Sequence, residues 1–195
     1  MRRNLFEAPV LVLHLLAIAL VIGPAVFFGA VVAPQSFHLL PTRDMAGALT
    51  ATVVTQLCWI AEGGFAVLIV TSWWLTRDGA SKLLKMLMTR AAFLGLIAAV
   101  VIEKLLVAQI DKIRKDAPGL IDNLPAADPA RILLGRLHKL STGFLSIEIL
   151  AGVLVLVTTA RWIASRRSAP AAPAVPGASR PPLPPVPKVL DLSGL

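Results

Sequence analysis

Several ionisable side chains lie inside stretches of the chain that are otherwise apolar. Glu62, Glu103, Lys104 and Glu148 each have long apolar sequence around them. Placing such a group at the centre of a membrane helix costs roughly 2.5–3.5 kcal/mol on insertion scales, so each one needs a partner or a function. Carboxyl groups in this setting carry protons or cations, or they hold helices together through hydrogen bonds.

The fourth apolar stretch, ILLGRLHKLSTGFLSIEILAGVLVLV, carries its polar groups at helical spacing. His138, Ser141, Leu145, Glu148 and Gly152 are separated by 3, 4, 3 and 4 residues, which places them on one helical face. We predict that this face looks into a helix bundle and away from lipid. The glycine on the stripe would let a neighbouring backbone approach closely.

A similar stripe follows the second apolar stretch with the same spacing. Its members are Thr52, Thr55, Trp59, Glu62 and Ala66. By the same reasoning, we expect Glu62 to face the interior at a depth similar to that of Glu148.

Glu103 and Lys104 are adjacent in the third apolar stretch. Successive side chains on an α-helix point about 100° apart, so we expect these two not to face one target. Lys104 can neutralise one of the acids, and we expect the others to be protonated or bound, because burial disfavours a bare charge. Two interpretations remain open: a purely structural polar core, and a path for protons or cations.

The positions of the three histidines argue against a metal or haem site. At 1.5 Å per residue, His14 and His138 would lie about 27 Å apart in height. His38 and His138 could meet, but two histidines without a third ligand are a weak metal site. We find no supported nucleophile–base pairing, phosphate-binding glycine loop or cysteine pair in the sequence. We therefore expect no metal, no cofactor and no enzymatic activity.

The composition places these groups in a membrane protein. Of 195 residues, 56% are hydrophobic and 15% are charged, whereas soluble domains carry about 25% charged residues. Four apolar runs, at residues 10–32, 49–74, 86–110 and 137–163, each reach the roughly 20 residues that cross a bilayer as a helix. We predict an all-α fold, an integral membrane four-helix antiparallel bundle.

The net charge of +8 does not indicate nucleic-acid binding. No basic cluster alternates with aromatic residues, and the chain has no tyrosine. Lysines and arginines that face anionic lipid heads explain the charge, so we expect the lipid bilayer as a partner and no nucleic acid.

The first apolar run has features of a signal peptide, since Arg2 and Arg3 precede it. A signal peptide has an apolar region of only about 7–15 residues, so we predict that this longer run is a retained span. Gly23 and Pro24 lie in its middle. Proline removes a backbone hydrogen bond, and we predict a helix kink there.

The orientation signal is weak. Eight lysines and arginines flank the spans on the side of the termini and seven on the other. We predict a multi-pass protein of the cell (inner) membrane with both termini cytoplasmic. Trp73 and Trp74, beside Arg77, fit an aromatic belt at the cytoplasmic interface.

Two polar segments lie outside the predicted spans. The loop Asp111–Arg136 is long enough to carry a short helix or a contact surface. Residues 168–195 form a proline-rich tail that we expect to be flexible, and its RPPLPPVP stretch resembles a ligand for a polyproline-reading domain. Either segment could bind a membrane-protein partner, and the sequence leaves the oligomeric state open.

Two blocks resemble a known family. The stretch VLHLLAIALVIGPAVFFGAVVAPQSFHLLPTRDMAGAL and the LHKLS motif at Leu137–Ser141 resemble the transmembrane protein 205-like family, a domain of unknown function. Together these two stretches cover about a fifth of the chain. The family usually has an asparagine seven residues after the histidine of the second block, where this chain has Leu145. The resemblance implies a four-helix membrane protein without an established activity.

Two functions follow as hypotheses. One is a small permeation element for protons, cations or another solute that uses Glu62, Glu103 and Glu148. The alternative is a non-catalytic accessory or structural subunit of a larger membrane complex. A third idea, support of metal or drug efflux, rests only on a likeness to four-helix copper-resistance proteins.

The predicted topology can be tested with a reporter fused after Leu195. An even number of spans and the slight excess of basic residues place the C-terminus in the cytoplasm. We expect a fused green fluorescent protein to fluoresce and a fused alkaline phosphatase to be inactive. The opposite pair of results would overturn the orientation.

Overall fold

The computed structural model describes residues 3–77, 81–117 and 121–167, and these residues are almost entirely helical, with no strand among them. The proline-rich tail predicted at residues 168–195 lies outside the described residues. The helices, in chain order, are α1 (Arg3–Phe27), α2 (Ala33–Leu39), α3 (Arg43–Leu75), α4 (Lys82–Val101), α5 (Ala108–Asp116) and α6 (Pro129–Arg167).

Two π-helical turns join neighbouring helices into longer ones. Phe28–Val32 connects α1 to α2, and Ile102–Val107 connects α4 to α5. The result is four helices that are long and apolar enough to cross a membrane. We call them the first to fourth long helices: Glu7–Leu39, Arg43–Leu75, Lys82–Asp116 and Pro129–Arg166. Each contains one of the apolar runs seen in the sequence, so the described part is compatible with a multi-pass membrane protein.

The connection between the third and fourth long helices is shorter than the loop expected at Asp111–Arg136. Helix α5 continues to Asp116, and α6 begins at Pro129, with a 3₁₀ turn at Ile121–Asn123 between them. The carboxylate of Asp128 accepts a hydrogen bond from the backbone N–H of Ala130 at 2.8 Å. An aspartate followed by a proline is a favourable helix start, so α6 begins before its apolar run.

Side-chain caps also begin α3 and α4. The Thr42 hydroxyl accepts a hydrogen bond from the Met45 N–H at 3.2 Å, and the Ser81 hydroxyl accepts one from the Leu84 N–H at 3.3 Å. Such caps satisfy amide groups that have no partner within the helix. The turn before α3 is therefore short and well defined.

The first long helix stays α-helical through Gly23 and Pro24. Its backbone departs from α geometry about one turn later, in the π turn Phe28–Val32. Proline has no N–H, so it leaves a carbonyl in the preceding turn without its helical partner. The backbone irregularity thus follows the proline instead of coinciding with it.

The long helices pack on their sequence neighbours, and the first also packs on the fourth. At one end of this last pair, Arg166 donates to the Glu7 carboxylate at 2.9 Å. At the other end, the rings of Phe37 and His138 meet edge to face, with centroids 6.4 Å apart. The four helices thereby surround one interior.

The centre of the bundle is built from small residues around one large ring. Phe65 is fully buried, and it contacts Gly95 of α4 so closely that an added Cβ would overlap the ring. Gly64 and Gly152 contact the side chains of the first long helix in the same way. Apolar helices in apolar surroundings gain little from the hydrophobic effect when they associate. Small residues let them approach closely, and van der Waals contact then holds them together. We call this region the waist of the bundle.

Gly95→Ala tests the waist. The added methyl group would force the Phe65 ring to move, and overpacking of this kind costs about 1–3 kcal/mol. We expect a lower midpoint of thermal unfolding for the purified protein in detergent. Gly143→Ala is the matched control, because an added Cβ there meets nothing within 4 Å. Alanine is favoured over glycine in a helix by about 1 kcal/mol, so the control should unfold at the same or a higher temperature. Equal midpoints for the two variants would contradict the packing argument.

Candidate functional site

A cavity of about 510 Å³ lies at one end of the bundle, where the first and third long helices end and the second and fourth begin. Cavities that hold small ligands usually measure about 300–1,000 Å³. Its wall comes from all four long helices and from the connection before α6. The wall residues are Phe28, Gly29, Ala33, Pro34, Phe37, Arg43, Asp44, Gly47, Thr50, Ala51, Val54, Ile102, Val107, Ile110, Arg114, Ile121, Arg131, Leu134, Gly135, His138, Ser141, Thr142 and Leu145.

Both π turns border this cavity. Phe28 and Gly29 come from the first π turn, and Ile102 and Val107 come from the second. Single π-helical turns occur mostly inside α-helices and frequently at functional sites, because they shift side chains out of the regular helical positions. The helices therefore lose their regular geometry where they enclose the cavity.

Charged side chains line the cavity. Arg43 and Asp44 come from the start of α3, Arg114 from α5 and Arg131 from α6. Arg131 donates to the backbone carbonyl of Leu124 at 2.7 Å, which fixes the connection before α6 against the cavity wall. Among the described residues of the lining, three arginines stand against one aspartate, which gives this wall an excess of positive charge.

Arg114 is seated against the second long helix. Its guanidinium occupies the space that a Cβ on Gly47 would take, and Gly47 itself is buried. The Nε atom of Arg114 is buried and has no hydrogen-bond partner. An unpaired buried donor is unfavourable by about 1–3 kcal/mol, so an anionic or polar ligand that accepts hydrogen bonds from Arg114 would relieve this cost.

The deep wall of the cavity is apolar and leads toward Glu148. Val54 and Leu145 line the cavity and pack against buried Cys58. Glu148 follows Leu145 by one helical turn and is only 2% exposed. In the ranges that the structure describes, no side chain forms a hydrogen bond with the Glu148 carboxyl. Glu148 thus lies inside the bundle, one turn beyond the apolar wall of the cavity.

The stripe predicted on the fourth long helix faces the interior over most of its length. His138, Ser141 and Leu145 line the cavity, and Gly152 is buried against Ile22 of the first long helix. His138 is exposed at the cavity end.

The stripe predicted on the second long helix does not face the interior. Trp59 is 59% exposed, and Thr52 and Ala66 are also exposed. The buried face of α3 instead carries Cys58, Ala61, Phe65 and Leu68. Spacings of 3 and 4 residues occur on both faces of this helix, and packing of Phe65 against α4 determines which one is inside. The expectation that Glu62 faces the bundle interior together with Glu148 was therefore wrong: Glu62 is half-buried at the edge of α3.

Glu62 belongs to a second polar cluster, between α3 and the second π turn. One carboxyl oxygen of Glu62 and one of Glu103 are buried without a hydrogen-bond partner among the described residues. Glu103 accepts a hydrogen bond from the Trp59 indole N–H at 2.7 Å and pairs with the Lys104 ammonium at 2.7 Å. The cluster therefore holds an ion pair at the edge of the bundle, with the Glu62 carboxyl beside it.

The pairing of Glu103 with Lys104 corrects the expectation that the two face different directions. They lie in the π turn Ile102–Val107. A π turn has more residues per turn than an α-helix, so adjacent side chains are separated by a smaller angle. The Lys104 side chain is 61% exposed and reaches back to Glu103, whose side chain is 9% exposed.

A third polar cluster, at the opposite end of the bundle, was not among the predicted site residues. His14 is fully buried. Its Nδ1 atom lies 2.7 Å from the Thr71 hydroxyl, and its Nε2 atom lies 3.0 Å from the Thr159 hydroxyl. One side chain thus joins three of the long helices.

The two threonines restrict the hydrogen positions in this cluster. Thr71 and Thr159 each lie 2.7 Å from a carbonyl in the preceding turn of their own helix, to which the hydroxyl donates. Each hydroxyl has one hydrogen, and a neutral imidazole has one donor and one acceptor nitrogen. A neutral His14 therefore requires one threonine to turn its hydrogen from the backbone to the ring.

The structure offers no metal-binding group within the described ranges: no three histidine, cysteine, aspartate or glutamate side chains there could hold an ion together. Cys58 is buried and has a free thiol.

Comparisons with known proteins gave no match. No family model matches the chain, and neither the search of curated proteins nor that of solved structures found a similar protein. The resemblance to the transmembrane protein 205-like family stays a prediction.

Thr159→Val tests the cluster at His14. It keeps the shape of the side chain and leaves the Nε2 atom of His14 without a partner. Hydrogen bonds between membrane helices contribute about 1–2 kcal/mol in model peptides, and we expect a loss of that size in the free energy of unfolding by sodium dodecyl sulfate. Thr158→Val is the control, because the buried Thr158 hydroxyl bonds only to carbonyls of its own helix, at 2.7 and 3.0 Å. Equal losses of unfolding free energy in the two variants would show that the bond to His14 does not hold the helices together.

Proposed function

We propose that this chain is an integral membrane protein whose long helices form an antiparallel bundle, and that it serves as a small permeation element. A solute enters the cavity at one end, and Glu148 is the group in mid-bundle that exchanges a proton. Both chain termini lie on the cytoplasmic side, and the cavity opens toward the other side.

Insertion in a bilayer is supported by the length and apolarity of the four long helices and by the residue types at their ends. All four long helices pass the length and hydropathy that a span requires. Arg77 lies over the Trp73 ring, 5.6 Å from its centroid, and Arg166 lies over the Trp162 ring at 4.6 Å. Tryptophan and arginine at the same helix ends are typical of a membrane interface.

One observation carries the proposal: the cavity leads toward a carboxyl group that is buried and has no hydrogen-bond partner in the described parts of the chain. Leu145 lines the cavity, and Glu148 lies one turn beyond it on the same helical face. A structural carboxyl in an apolar interior would be held by a partner on a neighbouring helix, as His14 is. Glu148 instead is placed to bind what arrives through the cavity.

The bundle is closed on the other side of Glu148. The buried side chains of Val21, Phe65, Leu68 and Val155 form one apolar cluster between Glu148 and the His14 cluster. A proton or solute that crosses the bundle must therefore pass the waist, and this requires the helices to separate there. The structure corresponds to a state that is open at the cavity end.

The proposal is tested by proton flux into vesicles that contain the purified full chain and a pH-sensitive dye. After a pH gradient and a balancing potassium potential are imposed, we expect faster entry of protons than in empty vesicles. Glu148→Gln keeps the shape and the hydrogen-bonding capacity of the side chain but removes the exchangeable proton. We expect at least a tenfold lower flux at an unchanged thermal midpoint.

Asp111→Asn serves as the control, because Asp111 is exposed near the cavity end but outside its wall. Its flux should equal that of the wild type. If wild-type vesicles are no more permeable than empty ones, the permeation proposal fails. If Glu148→Gln conducts normally, Glu148 is a packing residue.

A further inference from the structure

The cavity is lined both by arginine side chains and by an apolar wall, and the two together indicate the class of its ligand. We infer that the cavity binds an amphiphile with one anionic head group, a carboxylate or a phosphate, and one apolar chain. This inference rests on the proposed function in that it takes the cavity as the solute site, and it adds the chemical class of the solute.

The charge of the lining selects an anionic head group. Three arginines and one aspartate line the cavity, together with His138. A cationic solute would be repelled by this excess of positive charge. Guanidinium groups bind carboxylate and phosphate oxygens through paired N–H donors, which makes arginine the usual residue for these groups.

Arg114 is the central contact for the head group. Its Nε atom is buried without a partner, and burial strengthens the attraction between a guanidinium and an anion. Gly47 provides the space that holds the guanidinium against α3. The arginine is therefore held in place before the ligand binds, which reduces the entropy lost on binding.

The apolar part of the lining selects a chain on the ligand. Below the arginines, the wall is formed by the side chains of Val54, Ile102, Val107, Ile110 and Leu145. A small hydrophilic anion would leave these groups without contacts, and water there would gain few hydrogen bonds. An apolar chain fills this space, and its burial contributes about 0.8 kcal/mol per CH₂ group.

The experiment uses the full chain in nanodiscs of phosphatidylcholine and a dodecanoate that carries a photoreactive diazirine on its chain. After illumination, the labelled peptides are mapped by mass spectrometry. We expect label on residues of the apolar wall, such as Leu145 and Ile102, and at least a fivefold loss of this label with excess dodecanoate. Dodecyl phosphate should compete as dodecanoate does if the head group is recognised by its charge. Competition by only one of the two would identify the source as a fatty acid or as a phosphate lipid.

Variants test whether labelling of the apolar wall depends on the Arg114 guanidinium. Arg114→Gln removes the charge, and we expect at least a fivefold lower labelling of the wall. Gly47→Ala keeps the charge but displaces the guanidinium, and it should lower the labelling to a similar extent. The controls are Lys115→Gln, an exposed cation next in the chain, and Gly63→Ala, where an added Cβ meets nothing within 4 Å. Both should label within twofold of the wild type.

Several outcomes would overturn the inference. Equal competition by dodecanol would show that the head group is not recognised. Equal competition by acetate or inorganic phosphate would show a site for a free anion. Label confined to lipid-facing residues, or crosslinked dimers without label on the wall, would show that no amphiphile enters. If Gly47→Ala fails to fold, Arg114→Lys replaces it, because it keeps the charge and loses the paired donors.

Photolabelling does not depend on flux, so the two proposals can fail separately. Specific labelling without proton flux would retain the ligand class and reject permeation. Flux without specific labelling would retain permeation and reject the anionic amphiphile as the solute.

Discussion

Close packing at the waist is the constraint on which the rest of the structure depends. Phe65 fills the centre, and glycines at 64, 95 and 152 let the neighbouring helices come close enough to surround it. In apolar surroundings this contact is a main source of association, because lipid chains are as apolar as the helix surfaces. The helices are held tightly there, and the cavity lies to one side of this contact, where two π turns change the helix geometry.

The bundle accommodates its polar side chains in three different ways. His14 is fully bonded to two threonines from other helices. Glu103 lies at the edge of the bundle, paired with Lys104 and shielded by Trp59. Glu148 forms no hydrogen bond within the described ranges, and the Nε atom of Arg114 is buried without a partner, as are single atoms of Glu62, Ser72, Glu103 and Trp162. Unpaired polar groups in an apolar interior are unfavourable, so those at or next to the cavity are the ones expected to bind a ligand.

Arg114 and Glu148 have different positions relative to the cavity, and the two proposals follow from this difference. Arg114 lines it, and Glu148 lies one turn beyond its apolar wall. An anionic head group held at Arg114 would direct its chain along that wall, toward the level of Glu148.

The sequence by itself determined the four long helices and the inward face of the fourth. Long apolar runs must satisfy their backbone hydrogen bonds internally, and this makes them helical whatever their neighbours are. On the fourth long helix, the polar and small residues of the central part, including Glu148 and Gly152, lie on one face, and this pattern predicted which face is inside. Local chemistry was enough in both cases.

Only the tertiary structure decided how the remaining polar groups are used. The second long helix has residues spaced by 3 and 4 on two faces, and contact with α4 turned Phe65 inward and left Trp59 outside. The cluster at His14 joins residues 57 and 145 positions apart in the chain. Arg114 reaches Gly47 across the cavity in the same way. Such contacts depend on the relative rotation and height of whole helices, which the spacing of residues within one helix does not specify.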